Sequence, residues 1–407
     1  MSESIVEHTF RHEFGRIVAK LSAKYGTTNL MEIEDAVSDA MLSALKSWGI
    51  KGTPENPAGW LFRVADHKLI DKLRRKQKYN QDILHNLENE SVYLQTEESE
   101  LNVIRLMLWC AHPQLDYKDQ IAMMLKLVSG FSNKEIAAAL LVNVETVKKR
   151  IQRAKRKIKN HETTVKLPIL NEVPDRFSSL RKAIYLTFNE GYFSISTTET
   201  IREDVVFEAL RLCKILTDVQ HENRSASFAL MALMTFHASR LESRLSENQT
   251  IVLLENQDRS FWNRELIVIA NRYLSKSMDK KLLTEYHIEA CIAAVHTNSK
   301  SYGETDWQYI SVLYKSLSDA MPSPITKLNY AFSLLKAGEL DLAFDILNEI
   351  SIGKIKQQAY LYYATLASYY DEIGNEKARQ ENIWKAIDTC DHQEIRNVLR
   401  KRLNHES

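Results

Sequence analysis

Residues 131–159 read FSNKEIAAALLVNVETVKKRIQRAKRKIK. The stretch predicts two short helices joined by a tight turn. Ser132 followed three residues later by Glu135 is a capping-box pattern: the serine side chain accepts from the backbone and the glutamate reaches back. Ile136, Ala137 and Leu140 give the first helix an apolar side. Asn143 suits the N-cap of the second helix. There Val147, Ile151, Ala154 and Ile158 recur at helical spacing and so share one face. That face must meet a core, which leaves Thr146, Lys148, Lys149, Arg150, Gln152, Arg153, Lys155, Arg156 and Lys157 to solvent or DNA. From Glu145 to Lys159 there are eight basic residues and one acidic residue. A helix-turn-helix with a basic second helix has the geometry of a major-groove reader. A solvated charged face would explain the basic run, but not the capping box, turn and one-sided stripe together.

At 407 residues the chain has room for two or three domains. Its formal net charge is only +1, so the basic patches are local. Up to residue 162 there are 25 basic and 21 acidic residues, while the remainder is acidic on balance. Eleven glycines, seven prolines and no sustained alternation of apolar and polar residues predict an all-α protein. Cys110, Cys213, Cys291 and Cys390 match no metal or redox spacing and are expected to be reduced core residues. No metal or other cofactor is expected. Nothing resembles a signal peptide or a membrane span, so a soluble, cytoplasmic protein is expected.

Residues 5–48 predict two amphipathic helices. Phe10, Phe14, Ile17, Val18 and Leu21 line the first; Ile33, Val37, Met41, Ala44, Leu45 and Trp48 line the second, with Glu34, Asp35 and Asp39 on its outer side. Trp48-Gly49 is expected to end that helix, with residues 49–56 as a loop. Asn56-Pro57 then opens a new helix as N-cap and first turn. In that helix Trp60, Leu61, Val64, Leu69 and Leu73 can supply a buried side. Arg63, Lys68, Lys72, Arg74, Arg75, Lys76 and Lys78 make it basic. Aromatics beside basic residues suit melted DNA, where bases stack on rings and cations hold phosphates. Taken alone, Trp60 and Phe62 fit core packing equally well.

Three segments occur in order: IEDAVSDAMLSALKSW (33–48), PAGWLFRVADHKLIDKLRR (57–75) and the opening stretch at 131–158. On these residues the chain up to about residue 160 resembles a bacterial sigma factor of the sigma-70 family, in the minimal extracytoplasmic-function (ECF) class. The resemblance implies that Glu34, Asp35 and Asp39 dock on core RNA polymerase. It implies that the −10 promoter element is recognised and opened by Asn56, Trp60, Arg63, His67, Lys68, Asp71, Arg74 and Arg75. The −35 element would be read by Thr146, Lys148, Lys149, Arg150, Arg153 and Lys155. Such a chain needs no catalytic residue of its own. Leu141 stands where the family's turn usually has glycine and Asn143 where proline is common, so a slightly different turn is expected. Residues 81–100 carry six acidic residues and no lysine or arginine; this suits a solvated linker or, by the resemblance, a segment near the nascent-RNA path.

Beyond residue 162 the reading is again helical, with segments at 181–188, 205–217, 227–246, 264–277 and 282–296. Gly191 is expected to cap the first of these, and Glu190 reads as part of a helix end rather than a catalytic group. His221, His237, His287 and His296 are scattered and show no ligand spacing. Residues 334–347 and 369–387 form an internal repeat in which Gly338 and Gly374 lie 36 apart. The repeat resembles tetratricopeptide (TPR) units, with Ala343 and Ala378 at the small-residue position. Tyr360, Tyr362, Tyr363, Tyr369 and Tyr370 could line a concave surface for a protein or peptide partner, or form a packed aromatic core. Segments 186–194, 252–266, 293–310 and 322–331 resemble the ECF group that carries a C-terminal TPR-like extension, which the resemblance links to control of the sigma factor.

The expected domains are residues 1–78 (polymerase and −10 binding), 79–101 (acidic linker), 102–162 (helix-turn-helix) and 163–407 (helical, TPR-like). The resulting expectation is a promoter-specific initiation factor acting with core RNA polymerase on promoter DNA. A stand-alone helix-turn-helix regulator with a TPR sensor is the alternative, though it leaves residues 57–76 and the acidic helix unused. An enzyme with its active site in residues 175–320 would need converging titratable groups, and the sequence offers none.

Overall fold

The computed structural model describes residues 2–77, 96–159, 176–194, 200–221, 223–246, 250–278, 283–355 and 358–403. Among the described residues the regular elements are helices, and the only strand-like feature is an isolated bridge between Leu245 and Ile251. The chain forms two compact units, Met1–Arg224 and Ser225–Ser407.

In the first unit, α1 (Ser2–Tyr25), α2 (Leu30–Lys51) and α3 (Pro57–Gln77) pack together. Phe14, Ile17, Val18 and Leu21 meet a core that includes Ile33, Val37, Met41, Ala44, Trp48, Leu61 and Leu69, all buried. Two sequence expectations need correction. Leu45 is 43% exposed, because it lies about 100° round the helix from Ala44, outside the stripe. The helix does not stop at Trp48-Gly49 either. It continues to Lys51 and ends at Gly52, whose φ of 82° needs no Cβ accommodation and whose N–H reaches the Trp48 carbonyl. The Phe10 side chain lies outside the described residues.

α4 (Thr96–Cys110) begins inside the expected acidic linker, the rest of which lies outside the described residues. α5 (Tyr117–Leu127), α6 (Asn133–Ala139) and α7 (Val144–Lys159) form the predicted helix-turn-helix and its support. α8 (Phe177–Tyr192) and α9 (Glu203–Asp218) then make a hairpin. α8 packs against α4, α5 and α6, and α9 against α1 and α4. Gly191 is not a cap: α8 runs through it, and a Cβ there would stand 2.7 Å from the Val206 nitrogen. Its missing side chain lets α8 and α9 touch. Glu190 is buried and accepts from the Ser194 hydroxyl at 2.8 Å.

The second unit contains α10 (Arg224–Ala238), α11 (Arg264–Ser277), α12 (Glu285–Asn298), α13 (Trp307–Ala320), α14 (Pro324–Lys336), α15 (Leu340–Asn348), α16 (Ala359–Glu372), α17 (Glu376–Thr389) and α18 (Gln393–Leu403). α10 ends eight residues before the expected boundary of 246, since the Ser239 carbonyl is taken by the Asn263 N–H at 2.8 Å. The internal repeat appears as α14–α15 and α16–α17, with Gly338 at φ 84° and Gly374 at φ 72° in the two turns. Ala343 is fully buried, whereas Ala378 is half-buried. The tyrosines of α16 are packed rather than displayed: Tyr362 is 8% exposed and Tyr369 stacks on Phe344 with centroids 4.7 Å apart. All four cysteines are free, three of them buried and Cys291 half-buried. No described helix is long and apolar enough to cross a membrane.

Candidate nucleic-acid interface

The local chemistry of the helix-turn-helix follows its sequence closely. The Glu135 N–H donates to the Ser132 hydroxyl at 3.2 Å, and the Ser132 N–H donates to the Glu135 carboxylate at 2.7 Å. At the turn, the Leu141 N–H bonds to Ala138 and the Val142 N–H to Ala137, while Leu141 itself adopts φ 52°. Leucine thus holds the left-handed position that glycine would take without steric cost. Asn143 caps α7, accepting from both the N–H and the hydroxyl of Thr146 at 2.7 Å. Val147, Ile151, Ala154 and Ile158 are buried as the spacing requires.

The basic residues of α7 then fall into two groups. Lys148, Lys149, Gln152, Arg153 and Arg156 are exposed along the face opposite the apolar stripe, a continuous surface for phosphates and base edges. Arg150 is half-buried. Arg153 also has an internal partner: its Nε and Nη2 donate at 2.7 and 2.6 Å to Asp119 of α5, whose carboxylate is fully buried. This bidentate pair fixes α7 on α5 and holds the guanidinium above its ordinary pKa. Lys155 points elsewhere. Its ammonium bonds to Glu34 of α2 at 2.8 Å, with Lys126 of α5 on the other carboxylate oxygen at 3.5 Å.

On α3, Arg63, His67, Asp71, Arg74 and Arg75 are exposed, and their spacing sets them along one side of the helix. Lys68 is half-buried. Asn56 accepts from the Gly59 N–H at 2.8 Å and so caps the helix that carries this face. Trp60 is half-buried edge-on against Trp48, with centroids 5.6 Å apart, at the base of the short loop 52–56. Of the three acidic residues on α2, Asp39 pairs with Lys72 at 2.9 Å, and Asp35, 72% exposed, lies 4.0 Å from the same ammonium. Glu34 is 9% exposed, enclosed by the two lysines just described.

The α1–α3 module and the helix-turn-helix are therefore clasped together. A second contact lies at Gly15 of α1, where a Cβ would stand 2.2 Å from the Val128 carbonyl oxygen. The α8–α9 hairpin ties both sides. Arg202, just before α9, forms a buried pair with Glu135 at 2.8 Å, so the capping-box glutamate also anchors the hairpin. Ser179 donates to Gln120 at 2.6 Å, and Thr187 meets Ser129 at 2.9 Å. Toward the other module, Glu208 of α9 receives Arg211 at 2.6 Å and His12 of α1 at 3.2 Å. Burial would raise this carboxyl, but the bonds from Arg211 and His12 outweigh it and hold it below the usual carboxylate range.

Residues 11–79 match sigma-70 region 2, and residues 105–158 match sigma-70, region 4. The two matches fall on the two clasped modules. The chain belongs to the sigma-70 family. This sigma factor directs transcription initiation at promoters, and its two regions bind core RNA polymerase and promoter DNA. Residues 176–278 match a family of unknown function (DUF6596), which starts at the α8–α9 hairpin. An uncharacterized protein of Rhizobium meliloti (strain 1021) is 32% identical over 350 residues, covering 82% of this chain and 80% of its own length. No solved structure matches the chain.

Sequence reasoning assigned Arg153 and Lys155 to DNA without their internal partners. It also left Arg156 and Gln152 out of the −35 set, although both stand on the exposed face of this sigma factor's α7. Asp119 carried a weak signal, a carboxylate in the first turn of a helix that is otherwise largely apolar. Glu208 and Arg202 carried no local signal that they would reach the sigma regions.

Proposed function

We propose that this is an ECF-class sigma factor whose α3 engages the −10 element and whose α7 reads the −35 element, with a TPR-like C-terminal region that regulates it. On this reading α8–α9 holds regions 2 and 4 in a clasped form that must open for productive binding to polymerase. The observation that carries it is the bond from Lys155 of the −35-reading helix to Glu34 of the polymerase-facing helix. One contact removes a cation from the DNA-reading set and an anion from the polymerase-docking set. The chemistry of initiation belongs to the polymerase, and the chain acts in the cytoplasm without catalytic residues or cofactors. The helical pairs α14–α15 and α16–α17 are suited to a protein or peptide partner.

Run-off transcription with core RNA polymerase on a template carrying −10 and −35 elements tests this reading. The full chain should support initiation, and Lys126→Ala, which loosens the clasp outside both recognition helices, should raise the yield. A chain that binds duplex operator tightly by itself and gives no polymerase-dependent transcript would instead be a stand-alone regulator. A Lys126→Ala yield equal to wild type would remove the clasp from the account.

A further inference from the structure

The basic residues of α7 suit phosphates, but the turn that leads into the helix presents a different chemistry. Leu141 is 50% exposed, and Val144, the first residue of α7, is 36% exposed. Both are aliphatic side chains at the N-terminal end of the second helix, the end that meets base edges in a helix-turn-helix. Val144 lies four residues before Lys148 and eight before Gln152, so it heads the row to which those two exposed residues belong. The buried stripe of the same helix needs neither aliphatic group. Val147, Ile151, Ala154 and Ile158 already fill it, each 7% exposed or less.

The hydroxyl of this first turn is turned inward. Thr146 donates both its N–H and its hydroxyl to the Asn143 side-chain oxygen at 2.7 Å, so that proton is not offered to a base. The backbone adds an independent observation. Leu141 holds φ 52°, a left-handed conformation that is free for glycine and unfavourable for leucine. Because half of its side chain stays exposed, burial within the chain does little to offset that strain. Strain kept at an exposed residue of a binding element points to a role outside the fold.

We propose that Val144 and Leu141 read thymine in the −35 element through its C5-methyl group, which makes them determinants of promoter specificity. Thymine is the base that presents a methyl group in the major groove, and an aliphatic side chain recognises it by apolar contact. Neither side chain can donate or accept a hydrogen bond, so the pair favours that methyl over the polar edges of the other bases. Contacts from the basic face to phosphates set the register of α7 on the duplex, and the aliphatic pair adds sequence information at the end of the helix. The inference rests on the reading of α7 as the −35 helix.

Selection from a template library randomised at −35, using the full chain with core RNA polymerase, defines the element to be tested. Each thymine on either strand of that element is then replaced by deoxyuridine, which removes the methyl group and nothing else, and run-off yields are compared. At least one replacement should lower the wild-type yield about fourfold, the effect of one buried methyl group. In Val144→Ala, and separately in Leu141→Gly, the thymine-to-uracil ratio at that position should fall toward one. In Lys149→Ala the ratio should persist while the overall yield drops. The wild-type comparison decides the matter even where a variant does not fold. An element indifferent to every uracil replacement, or a ratio unchanged in a folded Val144→Ala chain, would overturn the inference and leave α7 as the −35 helix. A library that yields no −35 sequence would overturn that reading and the inference with it.

Discussion

Gly15→Ala addresses the clasp directly. A Cβ on residue 15 would lie 2.2 Å from the Val128 oxygen, 3.0 Å from its carbon and 3.1 Å from its Cα, against 3.4 Å or more in ordinary contact. The neighbour is backbone at the end of α5, so no side-chain rotation relieves it. α1 and α5 must separate by roughly an ångström, and overpacking of this kind costs about 1–3 kcal/mol. The penalty falls only on the clasped form. In α1 itself alanine is a better helix former than glycine by about 1 kcal/mol, so the variant should fold. A 1–3 kcal/mol bias corresponds to about 5–150-fold in the closed-to-open equilibrium. Where the clasped form predominates, the apparent Kd for core polymerase falls by up to that factor, because the competent fraction rises. Fluorescence anisotropy of the labelled full chain against core polymerase measures it, with circular dichroism as the folding control. A folded Gly15→Ala chain with unchanged or weaker affinity would refute the reasoning.

Lys149→Ala and Arg153→Ala should separate DNA reading from scaffolding. The first should weaken −35-dependent transcription by about 1–3 kcal/mol if a base contact is lost, with unchanged melting. The second should also lower stability, by about 2 kcal/mol, because it strands the buried Asp119 carboxylate; exposure of the guanidinium limits the loss. Leu141→Gly should stabilise by about 0.5–1 kcal/mol in chemical denaturation, since it removes the left-handed strain of an exposed leucine at the expense of some chain entropy. Acid should weaken the protein through His237 and His296. Burial, then Arg240 and its neighbours, lowers both, His296 to about 4 from 6.5. The neutral forms are favoured in the fold, so this stability is present above pH 6.5 and lost as pH falls toward 4. His296 alone accounts for about 3 kcal/mol of it, and denaturation midpoints across that window should show the decline.

The capping box, the Asn143 cap and the α7 stripe were legible because each is local: neighbours three or four residues apart set hydrogen bonds and buried faces. The exposed side of α3 was legible for the same reason. Local reading failed where two stop signals competed. Gly49 looked like the end of α2, but helical packing carries the chain to Gly52, where positive φ is available. Gly191 looked like a cap and is instead a point of close approach, a role visible only once α9 lies against it.

The amino-acid sequence by itself determined that this chain is helical, that two basic helices stand in the order of sigma regions 2 and 4, and that a paired-helix repeat follows. Periodicity, caps and composition act over a few residues and need no knowledge of the fold. Only the tertiary structure decided which of those charges face outward. Glu34 meets Lys155 across 121 positions, Arg153 meets Asp119 across 34, and Arg202 meets Glu135 across 67. Such pairings arise because packing brings distant charges into low-dielectric surroundings, where each must find a partner. The sequence supplies the charges, and the packing selects which of them are turned inward.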